Sequence, residues 1–188
     1  MTSHLRLFTG SLRHPRALHR NAILVGALAA FALGFLATGS GHADVLYCTG
    51  GDGTQLITIN QSNAAAALIG PSAAGAYSAA WAPGGTLYGI MGWSTPSNRL
   101  VTYNLGNGAV TPVGGVFGVD YMLALEIDGS GVCYGASWGT TNNFFRINLA
   151  TGAPTLLGST GVDQIMDFAF DSQGVLWAVN NYDLWTIN

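Results

Sequence analysis

The carboxylates are the side chains of this sequence that could carry out chemistry without a cofactor. Residues 44–188 contain eight aspartates and one glutamate but no histidine or lysine, and their two cations are Arg99 and Arg146. A histidine-activated nucleophile, a histidine-ligated zinc or copper site and a lysine Schiff base are therefore excluded from this part of the chain. Carboxylate chemistry, cations bound through oxygen, and binding without catalysis remain.

Four carboxylates form two pairs according to their place in the sequence. Asp128 and Asp171 each begin an Asp-x-x-Gly turn, where aspartate accepts backbone hydrogen bonds. Glu126 and Asp167 lie within apolar strands that we expect to pack between neighbouring units. A buried acid with few cations nearby has a raised pKa, so Asp167 and Glu126 are the candidate acid and base if the protein is a glycan-active enzyme.

Two tryptophans at matching positions suggest a different kind of site. Trp93 and Trp138 each follow a strand and precede a loop rich in Ser, Thr and Asn. In an up-and-down sheet these loops share a rim with the loops that contain Asp120 and Asp163, so the four residues together could stack on and hydrogen-bond a sugar ring. The alternative is that both indoles cap the apolar core.

A calcium site is weakly indicated. The stretch Glu126-x-Asp128-x-Ser130-Gly131 follows the start of an EF-hand loop, but its twelfth position is Ser137 rather than glutamate and no flanking helices are expected. Calcium held by another loop geometry stays open because oxygen ligands are abundant. We predict no metal ligand set and no other cofactor.

The two cysteines occupy corresponding strands of units that are separated by one further unit. Export would favour a disulfide between Cys48 and Cys133, but a separation beyond about 7 Å forbids the bond. We therefore expect two reduced, buried thiols.

These residues are positioned by a repeat that runs through residues 44–188. The segments LITIN, LVTYN, FFRIN and LWTIN begin at residues 56, 100, 144 and 184, which gives spacings of 44, 44 and 40 residues. Each unit contains four short β-type stretches separated by Gly- and Asn-rich turns. Four strands in a period of about 40 to 45 residues is typical of a β-propeller blade, so the fold class is all-β, with four-stranded blades.

The stretch from Asp167 to Trp177, DFAFDSQGVLW, resembles the "D-L-A-F-D-x-x-G-x-L-Y" signature of bacterial secreted propellers of the NHL-like kind. The resemblance covers nearly all of residues 44–188 and implies architecture, not activity. Ala124 stands where the next unit has Asp167, which argues against a repeated ring of functional aspartates.

The units are predicted at about 44–83, 84–129 and 130–172, with a partial unit at 173–188. These three and a half units give about fourteen strands, fewer than a propeller of four to eight complete blades needs. We expect either a truncated reading frame, which we favour, or closure by another chain. Open blade edges would then promote self-association.

The N-terminus has the order of a secretory signal peptide. Residues 1–20 carry four arginines and no acid, Ala22 to Ala37 form an uncharged apolar run, and Gly41-His42-Ala43 provides the small residues of a cleavage site. We predict residues 1–43 as a signal peptide and a secreted or periplasmic domain from Asp44. An uncleaved membrane anchor is the alternative, because the apolar run is only slightly shorter than the roughly 17 residues that span a bilayer.

The predicted mature chain carries a formal charge of −7, from two cations and nine acids. Such a surface repels phosphate backbones, which excludes nucleic acid as a partner. We expect a noncatalytic binding or scaffold protein that presents a propeller rim to a glycan, cation or protein. The alternatives are the carboxylate-dependent enzyme and a truncated gene product without independent function.

Overall fold

The computed structural model describes residues 45–50, 54–72, 75–93, 98–119, 121–138 and 142–188. The predicted signal peptide and Asp120 lie outside these residues. Fourteen strands and no helix are found in the described part of the chain, so the all-β prediction is confirmed. Among these residues no helix is long and apolar enough to cross a membrane.

The strands form four antiparallel sheets, called blades I to IV here. Blade I contains β1 (Val45–Gly50), β2 (Gln55–Asn60) and β3 (Ala66–Pro71); blade II contains β4 (Ala76–Trp81), β5 (Leu87–Met91), β6 (Arg99–Tyr103) and β7 (Val110–Pro112); blade III contains β8 (Met122–Ile127), β9 (Cys133–Ser137), β10 (Asn143–Ile147) and β11 (Pro154–Ser159); blade IV contains β12 (Asp167–Phe170), β13 (Leu176–Val179) and β14 (Leu184–Ile187).

Within each blade the strands follow one another in chain order, and the first strands of neighbouring blades are in contact. Strand β4 contacts both β1 and β8, and β8 also contacts β12. Sheets placed side by side, with their first strands together at the centre, are the blades of a propeller. The predicted incomplete-propeller fold class is therefore confirmed.

The blades are divided one strand earlier than the predicted sequence units. The strands β4, β8 and β12 were placed fourth in their units, but each is the first, inner strand of the following blade. A repeat has the same period wherever its first residue is placed, so spacing alone cannot assign the boundary. Glu126 and Asp167 consequently lie on inner strands near the centre of the propeller.

Apolar side chains fill the spaces between successive blades. Between blades II and III, for example, Ile90, Leu100, Leu125 and Phe145 are all buried in one cluster. Comparable clusters join blade I to blade II and blade III to blade IV. The stabilising burial is thus between sheets, which is why the inner strands carry apolar side chains on both faces.

Both cysteines are buried in these spaces and neither is in a disulfide. Cys48 lies on β1 of blade I and Cys133 on β9 of blade III. The prediction of two reduced, buried thiols is confirmed.

The asparagines that end the first three LITIN-like segments each close a hairpin turn. The Oδ1 atoms of Asn60, Asn104 and Asn148 accept hydrogen bonds from the backbone N–H two residues later, at 2.8, 2.8 and 2.9 Å. Asparagine is favoured here because its side chain mimics a backbone turn. The repeated residue is therefore explained by local turn chemistry.

In all three hairpins the fourth residue after this asparagine adopts a positive φ. It is Gly108 (φ 76°) in blade II and Gly152 (φ 69°) in blade III, but Ala64 (φ 58°) in blade I. Glycine reaches this region without the steric cost that a Cβ atom imposes.

Ala64→Gly is expected to stabilise the protein by about 1 kcal/mol, because strain in the left-handed region is relieved and no buried side chain is lost. Ala64 is exposed. Urea denaturation of both proteins would measure the difference. The control is Ala65→Gly, one residue along the same exposed turn, which should not stabilise; equal effects of the two changes would contradict this explanation.

Candidate functional site

The two tryptophans singled out from the sequence lie against each other on one rim. Trp93 follows β5 and Trp138 follows β9, and their ring centroids are 5.9 Å apart. Corresponding strands of neighbouring blades end at the same rim, so a side chain repeated after them is brought together with its counterpart.

Two tyrosines complete this group, and sequence reasoning missed both. The ring of Tyr77 lies 5.3 Å from Trp93, and the ring of Tyr121 lies 5.6 Å from Trp93 and 6.1 Å from Trp138. Most of these contacts are edge-to-face, a favourable aromatic geometry. We call Tyr77, Trp93, Tyr121 and Trp138 the rim aromatic cluster.

The backbone around Tyr121 is set for this arrangement. Its N–H donates to the carbonyl of Trp93 (3.1 Å), and its own carbonyl accepts from the N–H of Trp138 (2.6 Å). Tyr121 has a φ of 56°, and the residues at the same repeat position of the neighbouring blades, Gly75 (75°) and Gln164 (56°), share this backbone conformation. The repeat therefore sets the backbone, and Tyr121 places a bulky side chain on it, which is uncommon. The signal available in the sequence was that Tyr121 directly follows Gly118-Val119-Asp120, a segment that is repeated at Gly161-Val162-Asp163.

The cluster offers one open ring and three partly covered ones. Trp93 is 41% exposed, whereas Tyr77, Tyr121 and Trp138 are half-buried. Because the rings already contact one another, they leave no space among them for an ammonium group, which a cage must surround. The cluster can instead present a flat apolar face on which a ligand ring stacks.

Of the two acids predicted beside the tryptophans, Asp163 can be placed. It is exposed in the loop between β11 and β12, and its Oδ1 accepts a hydrogen bond of 2.6 Å from the Nδ2 of Asn142. Asn142 has a φ of 50°, and its Oδ1 is buried with no hydrogen-bond partner. This pair gives the same rim a carboxylate and an amide. Their role in binding stays a prediction, as does that of Asp120.

The candidate acid and base are both half-buried on neighbouring inner strands. Burial raises the pKa of Glu126 to about 8, with a further contribution from the negative charge of Asp167. Burial likewise raises the pKa of Asp167 to about 7, against a hydrogen bond from the N–H of Phe168 that lowers it. Values near neutrality would allow either group to exchange a proton at physiological pH.

This pair is not part of a ring of acids. In blade IV, Asp167 pairs with Val179 on the next strand. At the same position of blade III, Ala124 pairs with Ala136, so no acid is present there. The difference noted in the sequence, alanine in one unit and aspartate in the next, is therefore also a difference between equivalent positions of blades III and IV. The two acids are a local feature of blades III and IV.

Asp128 and Asp171 act as the turn residues that were predicted. Burial opposes ionisation of Asp128, but hydrogen bonds from Ser130 and from the Val132 N–H outweigh it and lower its pKa. Asp171 accepts from the indole N–H of Trp177 and from the Val175 N–H, which lowers its pKa as well.

The same contacts bear on the calcium motif. The Oδ1 atom of Asp128 is occupied by the turn, and Glu126 lies in a strand. Within the described ranges, no group of three or more His, Cys, Asp or Glu side chains is placed to hold a metal ion.

The chain matches no known protein-family model and no curated protein. Its fold is similar to solved propeller structures at low identity. One is an auxiliary nutrient binding protein from Bacteroides thetaiotaomicron (TM-score 0.57, 16% identity, 80% of this chain and 36% of that one). Another is hydrazine synthase from Kuenenia stuttgartiensis (TM-score 0.57, 15% identity, 87% and 46%). A third is the PQQ-bound aldose sugar dehydrogenase from Streptomyces coelicolor (TM-score 0.57, 15% identity, 86% and 60%).

This chain therefore spans between about a third and three fifths of the length of these structures. At 15 to 16% identity the likeness shows the fold alone. Both binding proteins and enzymes use this architecture, so function has to be argued from the site.

Proposed function

We propose that this protein is a noncatalytic, exported binding protein that holds a glycan on its propeller rim. The observation that carries the proposal is the rim aromatic cluster, in which the exposed ring of Trp93 is held against three other rings. Sugar rings present flat C–H faces that stack on indoles, and their hydroxyl groups pair with carboxylates and amides. Asp163 and Asn142 supply such groups on the same rim.

Three further features support this proposal. The N-terminal sequence has the form of a secretory signal, so the domain would meet extracellular or periplasmic ligands. The acidic charge of residues 44–188 disfavours anionic polymers and tolerates neutral sugars. Trp93 combines an exposed ring with contacts that hold it in place, and tryptophan and tyrosine are frequent anchors of binding sites.

Trp93→Ala is expected to weaken glycan binding by about 1 to 2 kcal/mol, roughly 5- to 30-fold, because the stacking face is removed. The measurement is titration against soluble β-glucan, α-glucan and chitin oligosaccharides after a glycan array has shown which is bound. Since Trp93 is 41% exposed but contacts three other rings, the melting temperature should fall only moderately.

Trp185→Ala is the matched control, because Trp185 on β14 is also 41% exposed and belongs to no ring pair of the cluster. It should leave binding unchanged. Absence of any bound glycan, or a large fall in melting temperature for Trp93→Ala, would contradict the proposal and support the alternative in which the indoles cap the core.

General acid–base catalysis by Glu126 and Asp167 is the second candidate function, favoured by their raised pKa values. The two functions differ in one experiment. A noncatalytic binder should leave its glycan intact in the wild type and should still bind it after Glu126→Gln or Asp167→Asn. An enzyme should turn the glycan over in the wild type and lose that turnover in the variants while still binding it.

A further inference from the structure

Asn98 is a fully buried polar residue that is bonded to the backbone next to two members of the rim aromatic cluster. It is 0% exposed and immediately precedes β6. Its Nδ2 donates to the carbonyls of Gly92 (2.6 Å) and Met122 (3.1 Å), and its Oδ1 accepts from the N–H of Met122 (3.2 Å). One side chain therefore joins the end of β5 in blade II to the start of β8 in blade III.

The residues bonded by Asn98 are the chain neighbours of two cluster members. Gly92 precedes Trp93, and Met122 follows Tyr121. Trp93 and Tyr121 are themselves joined by a backbone hydrogen bond of 3.1 Å, and their rings lie 5.6 Å apart. The position of the Asn98 amide thus sets how far apart these two backbone segments lie.

The equivalent asparagine of blade III shows that the blade fold does not require these bonds. Asn142 occupies the same repeat position: its carbonyl accepts from the N–H of Thr160 (2.8 Å), as that of Asn98 accepts from Phe117 (2.9 Å). Its side chain, however, donates to Asp163. The same residue type is used differently in the two blades, and only Asn98 is bonded next to both Trp93 and Tyr121.

We infer that Asn98 is the positioning residue of the glycan site, where it fixes the distance and angle between the Trp93 and Tyr121 rings. The inference rests on the proposed function, because it assigns Asn98 to the same site. It also predicts the geometry of the cluster when no ligand is present. The positioning role of Asn98 and the proposed glycan binding can therefore be tested separately.

The test is Asn98→Asp, which keeps the shape of the side chain and removes the amide donors. When ionised, the new carboxylate would face two carbonyl oxygens in a buried site, which is strongly unfavourable. We expect the Trp93 and Tyr121 segments to separate. When protonated, the acid can donate one hydrogen bond again.

Two readouts are measured at about pH 8 and at about pH 5. The carboxyl group introduced by Asn98→Asp should change its protonation state between these two values. The first is the circular dichroism couplet of the Trp93 and Trp138 indoles, assigned by its loss in Trp93→Phe. It reports on the Tyr121 segment because the Trp138 N–H donates to the Tyr121 carbonyl (2.6 Å), so a shift of Tyr121 away from Trp93 also moves Trp138. The second is affinity for the β-glucan, α-glucan and chitin oligosaccharides. At the higher pH we expect the couplet to weaken. We also expect affinity for the oligosaccharides to drop at least about tenfold, because the ionised carboxylate cannot donate the buried hydrogen bonds of the Asn98 amide. Both should recover partly at the lower pH.

Asn104→Asp is the control, because it makes the same chemical change at an exposed turn of blade II whose carboxylate can still accept the Gly106 N–H. It should change neither readout at either pH. A folded Asn98→Asp protein with an unchanged couplet at about pH 8 would overturn the inference. If the wild type binds no oligosaccharide, the proposed function fails, but the couplet still decides whether Asn98 positions the rings.

If Asn98→Asp does not fold at either pH, the wild type decides the question. Nuclear magnetic resonance would follow hydrogen exchange of the Asn98 side-chain amide during heating, and the couplet would be followed in parallel. Loss of both in one step, at a temperature below global unfolding as followed by far-ultraviolet circular dichroism, supports the inference. Loss of the couplet while the Asn98 amide is still protected would overturn it.

Discussion

Gly70→Ala is expected to destabilise the protein by about 2 to 4 kcal/mol, whereas Gly158→Ala should change its stability by less than about 0.5 kcal/mol. Both glycines occupy the same position of the repeat, near the end of an outer strand. Gly70 pairs with Leu56 on β2, and Gly158 pairs with Phe144 on β10. The substitutions are therefore chemically and topologically matched.

The difference comes from the hairpin of the following blade. A Cβ atom added to Gly70 would lie 2.7 Å from the carbonyl carbon of Asn107 and closer still to its oxygen. These are backbone atoms of the β6–β7 turn, so no side chain can rotate away and blades I and II must separate. At Gly158 an added Cβ would meet no atom within 4 Å.

Urea denaturation of the two variants beside the wild type measures both effects. An equal loss of stability would contradict the explanation, because it would mean that glycine is needed for strand conformation rather than for contact between blades. Gly114→Ala offers a further comparison. It should be more harmful than Gly70→Ala, since Gly114 combines a φ of 67° with a clash against the Thr151 carbonyl.

The contact between Gly70 and the Asn107 backbone explains why a glycine recurs at this position of the repeat. The spacing of the repeat alone did not reveal the reason. Ile69-Gly70 and Val113-Gly114 recur 44 residues apart, which predicted a repeated unit without saying what the glycine does. Its function depends on the neighbouring blade. Local patterns report alternation and turn chemistry, whereas the close approach of two backbones 37 residues apart is a tertiary property.

The rim aromatic cluster was predictable in part for a similar reason. Trp93 and Trp138 were found because they repeat at one position, and repetition in adjacent blades implies proximity. Tyr121 contributes its ring from a different loop and through a positive φ, whereas blade II has Gly75 before its inner strand. Tyr77 enters from an inner strand. Neither tyrosine has a repeated counterpart, so periodicity carried no information about them.

The acids show which electrostatic properties a sequence can indicate. The scarcity of cations predicted that a buried acid would have a raised pKa, and Glu126 and Asp167 do. The effect of the Asp167 charge on the pKa of Glu126 could not be predicted from sequence units that began one strand late. It follows from the contact between the inner strands β8 and β12.

These raised pKa values predict a protein that loses stability in alkaline solution. A folded-state pKa above the unfolded value means that the folded state binds the proton more tightly, so stability falls as the pH rises. The contribution of Glu126 is fully present below its unfolded pKa near 4.5 and is lost once the pH has risen through about 8. Asp167 also contributes stability at low pH, and this contribution is lost as the pH rises through about 7.

Asp128 and Asp171 act in the opposite direction. Their lowered pKa values contribute stability that is present above the unfolded pKa and is lost as the pH falls through the folded value. The two effects together predict maximal stability in mildly acidic solution, near about pH 5.

Glu126→Gln is therefore expected to stabilise the protein by a few kcal/mol at about pH 9, and to leave its stability nearly unchanged at about pH 5, where Glu126 is already protonated. The free energy of unfolding from urea denaturation, measured at intervals across this range, gives both values. In the variant, the decline of stability with rising pH should be markedly shallower than in the wild type. Asp167→Asn should also make it shallower, because it removes both its own titration and the negative charge that raises the pKa of Glu126.

Asp183→Asn is the matched control, because Asp183 is an exposed acid in blade IV and its replacement should leave the slope as it is in the wild type. A Glu126→Gln protein with the wild-type slope would show that Glu126 ionises freely in the folded state. In that event Glu126 would contribute neither to the predicted loss of stability with rising pH nor, as a proton donor near neutral pH, to the acid–base alternative, and both would rest on Asp167 alone.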